Sequence, residues 1–78
     1  MDGEIEDVPI TGEMIRLGQL LKFSGVAESG ADAGAIVADG DVRVDGELET
    51  RRGRQLSVGA IVEVAEPNGV RRLRVVAG

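Results

Sequence analysis

The chain contains no cysteine, no histidine, no tryptophan and no tyrosine. Without cysteine there is no disulfide framework and no thiolate metal site. Without histidine, cysteine or tyrosine, and with Lys22 as the sole lysine, the commonest general bases and most activated nucleophiles are missing. That argues against an enzyme. Phe23 is the only aromatic residue. Base stacking of the kind that drives single-strand readers is therefore largely unavailable, and Phe23 itself is expected in the core. No apolar run approaches the roughly 18 residues that cross a bilayer. The acidic start is the wrong kind for a signal peptide. Together these absences predict a soluble, cytoplasmic protein that does not meet a membrane. Carboxylates are plentiful, but no calcium-loop spacing occurs, and no Walker or dinucleotide-binding glycine pattern. No metal or cofactor is expected.

What is present fits one small domain of 78 residues, with a core of Val, Leu, Ile and Ala. The net charge is −5, and its distribution matters more than its sum. Asp2, Glu4, Glu6, Asp7 and Glu13 lie in the first 13 residues, and the remaining 65 carry nine charges of each sign. Residues 1–7 are expected to be a flexible acidic lead, and 8–78 the domain. The bases cluster as Arg51, Arg52, Arg54 and as Arg71, Arg72, Arg74. An acidic total argues against bulk nucleic-acid binding, whereas local basic patches leave it open.

In chain order, Val8-Pro9-Ile10 reads as a short edge strand, where proline is tolerated. Thr11 is a plausible N-cap for a helix over about Gly12 to Phe23, with Met14, Leu17, Leu20 and Leu21 as its apolar stripe and Arg16, Gln19 and Lys22 on another side. Ser29 caps a second helix, about Gly30 to Asp39, with Asp32 at N3, an apolar face of Ala33, Ile36 and Val37, and Gly40 as its stop. Gly34 inside that helix costs on the order of 1 kcal/mol relative to alanine, so it needs a reason such as close packing.

The stretch Gly40 to Arg54 organises the rest. Val42 and Val44 face one side and Arg43 the other. Asp45-Gly46 is a strong signal for a two-residue type I′ hairpin turn. Leu48 is expected to return to the apolar side, with Glu47 and Glu49 outside. Thr50 then leads into Arg51, Arg52, Gly53 and Arg54. Arginine offers a planar fork that fits phosphate oxygens. The bland alternative is a solvated turn paired with Glu47 and Glu49. Ile61 to Val64 and Val70 to Val76 read as two further strands around a Pro67-Asn68-Gly69 turn. Arg71, Arg72 and Arg74 are expected to neutralise the acidic N-terminal segment rather than to extend a binding surface.

Two short helices, a G-x-V-x-V-D-G hairpin, a basic turn and a G-x-x-V-x-V strand, in this order, resemble a known family. It is the RNA-binding domain named after the fourth small-subunit ribosomal protein, the S-four domain, and more narrowly its small stand-alone bacterial members, the YbcJ-like group. The matching text is Ile15 to Lys22, Glu28 to Ala31, Gly40 to Arg54 and the GAIVEV of Gly59 to Val64, within about residues 8–65. The resemblance implies an α+β fold, two short helices packed on a small, mainly antiparallel sheet (the αL RNA-binding motif). It also implies an RNA surface of Arg16 and Lys22 on the first helix, Ser29 at the start of the second, Arg43 on the strand, and Thr50, Arg51, Arg52 and Arg54 after the hairpin. Two departures stand out: Gly34 where similar proteins commonly carry a lysine, and Asp45 where asparagine is frequent.

These observations lead to an expected function. It is a non-catalytic, monomeric RNA-binding protein that contacts structured RNA, ribosomal or transfer, through arginine and lysine contacts to phosphates. Its further partners would be the ribosome or an RNA-modifying enzyme. The alternative is a protein-interaction module that meets a basic partner through the acidic N-terminus or a sheet edge.

Overall fold

The computed structural model describes residues 4–78. In chain order the elements are β1 (Ile5–Ile10), β2 (Met14–Arg16), α1 (Leu17–Phe23), α2 (Gly30–Ala38), β3 (Val42–Val44), β4 (Glu47–Leu48), β5 (Gln55–Ser57), β6 (Ile61–Glu66) and β7 (Gly69–Ala77). Strand alternation builds one wall of the core. Val62 and Val64 of β6 and Leu73 and Val75 of β7 are all buried, and the hairpin register sets Val62 opposite Leu73. Arg72 lies opposite Glu63 on the other face and pairs with it at 2.9 Å. The sheet runs β1-β7-β6-β3-β4, with β1 parallel to β7 and every other pairing antiparallel. β2 and β5 form a separate two-stranded ribbon. The expected α+β class, two short helices on a mainly antiparallel sheet, is what the chain adopts.

The helices supply the other wall. Leu17, Leu20 and Leu21 of α1 and Ala33 and Val37 of α2 are fully buried against the sheet valines. Burying one such Leu or Val side chain contributes about 1.5–3 kcal/mol. The α2 boundaries follow its capping chemistry. The Asp32 backbone N–H donates to the Ser29 hydroxyl at 3.0 Å, and the Glu28 N–H donates to the Asp32 carboxylate at 3.0 Å. Asp45 and Gly46 take φ of 51° and 87°, the double positive value that a type I′ turn needs. The Asp45 carboxylate also accepts from the Ile61 N–H at 2.9 Å, which ties the turn to β6. Among the described residues no helix is long and apolar enough to cross a membrane.

Four expectations are corrected. The first helix does not start at Thr11. Residues 14–16 pair with β5, Ile15 opposite Leu56, and the helix begins only at Leu17 with Arg16 as its N-cap residue. A strand partner 40 residues away outcompetes the local helical pattern, and Met14 is left exposed. Phe23 is 66% exposed rather than in the core. It closes a seven-residue helix whose buried face is already filled by its three leucines. Leu48 is exposed and Glu49 is buried, the reverse of the expected order. In a two-residue hairpin, directly opposed residues share a face. Leu48 is opposite Arg43, which faces out, and the Glu49 N–H bonds to the Val42 carbonyl beside the core. Finally, β1 begins at Ile5, inside the segment expected to be flexible. Arg71 pairs with Glu6 at 2.6 Å and Arg74 with Asp7 at 2.8 Å, and these contacts hold the acidic stretch on the sheet. Arg71 and Arg74 thus take the neutralising role expected of the second arginine cluster, whereas Arg72 pairs with Glu63 of β6 instead. Residues 1–3 of the acidic lead lie outside the described residues.

Candidate nucleic-acid interface

The arginine turn is built around one buried carboxylate. Oε2 of Glu49 accepts from the backbone N–H of Thr50 at 3.1 Å, from that of Arg51 at 3.0 Å, and from Arg51 Nε at 3.4 Å. Its Oε1 accepts from Arg54 Nη1 at 2.7 Å. The Arg54 hydrogen bond is the largest of the effects that hold the Glu49 carboxyl down to about 2, against an ordinary value of 4.5. Burial alone would push it up. Three arginines against one carboxylate leave the turn positive.

Its carbonyls dock the turn onto α1. The first N–H groups of a helix have no partner within it. Here the Leu17 N–H donates to the Arg54 carbonyl and the Gly18 N–H to the Arg52 carbonyl, each at 2.8 Å. The Arg16 N–H donates to the Gln19 side chain at 3.1 Å, and Arg16 Nη1 to the Gly53 carbonyl at 3.2 Å. The helix start and the basic turn are thereby one structural unit, although more than 30 residues separate them.

Arg52 takes no part in the Glu49 cluster. Its side chain crosses α2, where Nη1 donates weakly to the Gly30 carbonyl at 3.4 Å. A Cβ on Gly34 would stand 3.3 Å from that Nη1 and 3.4 Å from Cδ. Gly34 thus lies directly under Arg52, and a side chain there would have to displace the flexible end of that arginine by a few tenths of an ångström. The Arg52 guanidinium therefore lies near the position where the resemblance led one to expect a lysine.

Arg16, Lys22 and Arg52 line one shallow groove, with Gln19, Gly18, Gly30 and Gly53 as its remaining walls and no carboxylate among them. Gly53 also borders a second concavity lined by Arg51 and Arg54. Of the expected site residues, the structure thus gathers Arg16, Lys22, Arg51, Arg52 and Arg54. Thr50 is exposed beside them on the same turn. Ser29 is exposed, but its hydroxyl is engaged in the α2 cap. Arg43 faces out on β3 between Leu48 and Glu63, and no hydrogen bond or shared groove among the described residues joins it to the others. Sequence reasoning named Glu49 as a partner of the turn in its bland alternative, and Arg51 and Arg54 do pair with it. It missed that Glu49 is buried and organises the turn, and it missed Gly18 as the residue beside the Arg52 backbone.

The decisive comparison concerns the whole of this unit. The family model described as S4 domain matches residues 8–71, which include both helices, the hairpin and the arginine turn. This chain belongs to the S4 domain family. Over 57 residues it is 44% identical to the "Probable ribosome maturation protein RlbA" of Bacillus subtilis (strain 168), covering 73% of this chain and 80% of that protein. Over 51 residues it is 43% identical to the "Putative RNA-binding protein YbcJ" of Escherichia coli (strain K12), covering 65% of this chain and 73% of that protein. The S4 chain described here is therefore a small α+β domain of the YbcJ-like kind, as its sequence resemblance implied.

Proposed function

We propose that this S4 domain is a non-catalytic protein that binds structured RNA, ribosomal or transfer, in the cytoplasm and as a monomer. One observation carries the reading. Arg16, Lys22 and Arg52 converge on a groove walled by glycines and free of carboxylates, in a protein whose net charge is −5. Glycine walls let a phosphate backbone approach closely, and the guanidinium forks of Arg16 and Arg52 suit phosphate oxygens. A-form RNA is read mainly by shape and backbone contacts. The names of the two relatives, one for ribosome maturation and one for RNA binding, support ribosomal RNA as the first target to test.

A module that met a basic protein through its acidic N-terminus would first have to break the Glu6–Arg71 and Asp7–Arg74 ion pairs. No observation favours that reading.

The test is binding of transfer RNA and of ribosomal RNA fragments at a series of salt concentrations. Each phosphate neutralised contributes roughly −0.7 to −0.9 to the slope of log affinity against log salt. The variant Lys22→Ala/Arg51→Ala/Arg52→Ala keeps Arg54 on Glu49, so the turn stays folded. It should flatten the slope by about 2 to 3. Affinity that does not respond to salt would refute the mechanism.

A further inference from the structure

Phe23, the chain's only aromatic side chain, stands two-thirds exposed at the end of α1. Met14 is exposed beside it and Ile15 is half-buried. With Ile10, Thr11, Gln19 and Lys22 they line an open, largely apolar groove. Gln19 and Lys22, three residues apart on one face of α1, also line the groove of Arg16 and Arg52. The two grooves are thus the two flanks of one ridge. The apolar flank carries a single charge, the Lys22 ammonium, and no carboxylate.

We propose that this second groove receives an unpaired base of the bound RNA. The base stacks on the Phe23 ring, its phosphate lies at Lys22, and Thr11 and Gln19 offer polar groups to its edge. The inference rests on the RNA-binding reading and adds to it a preference for RNA with unpaired nucleotides next to a helical segment. A nucleotide combines a flat apolar face with an anion, and the groove combines an aromatic ring with an ammonium. A stable protein partner needs an interface of roughly 1,000 Å² or more, which four apolar side chains, Ile10 among them buried, and one lysine do not provide. A single base fits that scale, and stacking on an exposed aromatic makes a substantial contribution per base.

The experiment uses two RNA probes, a stem–loop and a blunt duplex of the same base-paired length. Because the chain lacks tryptophan and tyrosine, Phe23→Trp provides a single emitter at the groove. The stem–loop should quench its fluorescence and the duplex should not. Phe23→Ala should weaken stem–loop binding roughly tenfold. Phe23→Leu, which keeps the apolar surface but not the ring, should weaken it nearly as much. Neither should change duplex binding or the salt slope. Exposure of Phe23 means that all three variants fold, and circular dichroism checks this. Stem–loop affinity indifferent to Phe23→Ala, or restored by Phe23→Leu, would overturn the stacking site. Arg52→Ala weakening both probes in the same series would leave the RNA reading standing. If neither probe binds the wild type in a salt-dependent way, both proposals fall.

Discussion

Glu49→Gln isolates the carboxylate that organises the arginine turn. The folded carboxyl titrates at about 2 and an unperturbed one at 4.5. Taken at face value, that difference is worth about 3.4 kcal/mol at neutral pH. Arg51 and Arg54 are 78% and 38% exposed in their side chains, so solvent screens part of it. A realistic figure is about 2 kcal/mol. Glutamine keeps an oxygen for the Thr50 and Arg51 N–H groups but loses the charged contact to Arg54. The variant should therefore unfold about 2 kcal/mol more easily at pH 7, which lowers Tm by roughly 8–16 °C in a domain this small. The pH dependence gives a second signature. Below about 4.5 the unfolded chain takes up a proton that folded Glu49 refuses. Wild-type stability from this group is thus complete above that pH and is lost as pH falls toward about 2. Glu49→Gln lacks this component, and Glu6, also lowered by its hydrogen bond to Arg71, supplies a remaining slope in the acid range. Urea unfolding followed by circular dichroism between pH 2 and pH 7 measures both effects. A variant within about 0.5 kcal/mol of wild type at pH 7, the usual range for surface substitutions, with an unchanged acid limb would refute the role given to Glu49.

Gly34→Ala should raise stability by up to about 1 kcal/mol through helix propensity, because the atom it crowds is the movable end of Arg52. The same variant should bind RNA more weakly if the Arg52 pose across α2 matters, so thermal melting and RNA titration should move in opposite directions. Leu48→Ser should change unfolding free energy by no more than about 0.5 kcal/mol, whereas Leu20→Ala should cost about 2–5 kcal/mol. Equal costs in denaturant melts would mean that the hairpin register places Leu48 inside.

Where sequence reasoning succeeded, the signal was local. Ser29 with Asp32 is a cap whose partners are three residues apart, and Asp45-Gly46 specifies its own turn. Where it failed, the deciding partner was distant. Residues 14–16 carry a helical pattern but pair with Gln55–Ser57 instead. Phe23 looks like a core residue until the three leucines of α1 are seen to fill the buried face. Leu48 is different, because its position was legible: a two-residue turn at Asp45-Gly46 already sets Leu48 opposite Arg43 and so on the outer face. At the site, the arginine turn could be read from its composition. Its docking on α1 could not, because it runs through the backbone carbonyls of Arg52 and Arg54, which carry no side-chain signature.

For an acidic protein, the proposed binding of a polyanion poses a question of range. The molecule measures 30 × 29 × 22 Å, and at physiological salt the Debye length is about 8 Å. A phosphate at the groove therefore responds to charges in its immediate surroundings far more than to the total of −5. The ion pairs sort the basic residues accordingly. Arg71, Arg72 and Arg74 are cancelled by Glu6, Glu63 and Asp7 on the sheet. Arg51 and Arg54 share the single charge of Glu49. Arg16, Lys22 and Arg52 have no carboxylate lining their groove. Apart from Arg43, which stands alone on β3, the pairing leaves positive charge uncompensated on one flank of α1, and the remaining net negative charge opposes non-specific adhesion elsewhere on the surface. Association by this flank should be strongly dependent on salt and orientation, and weak for nucleic acid that cannot enter the groove.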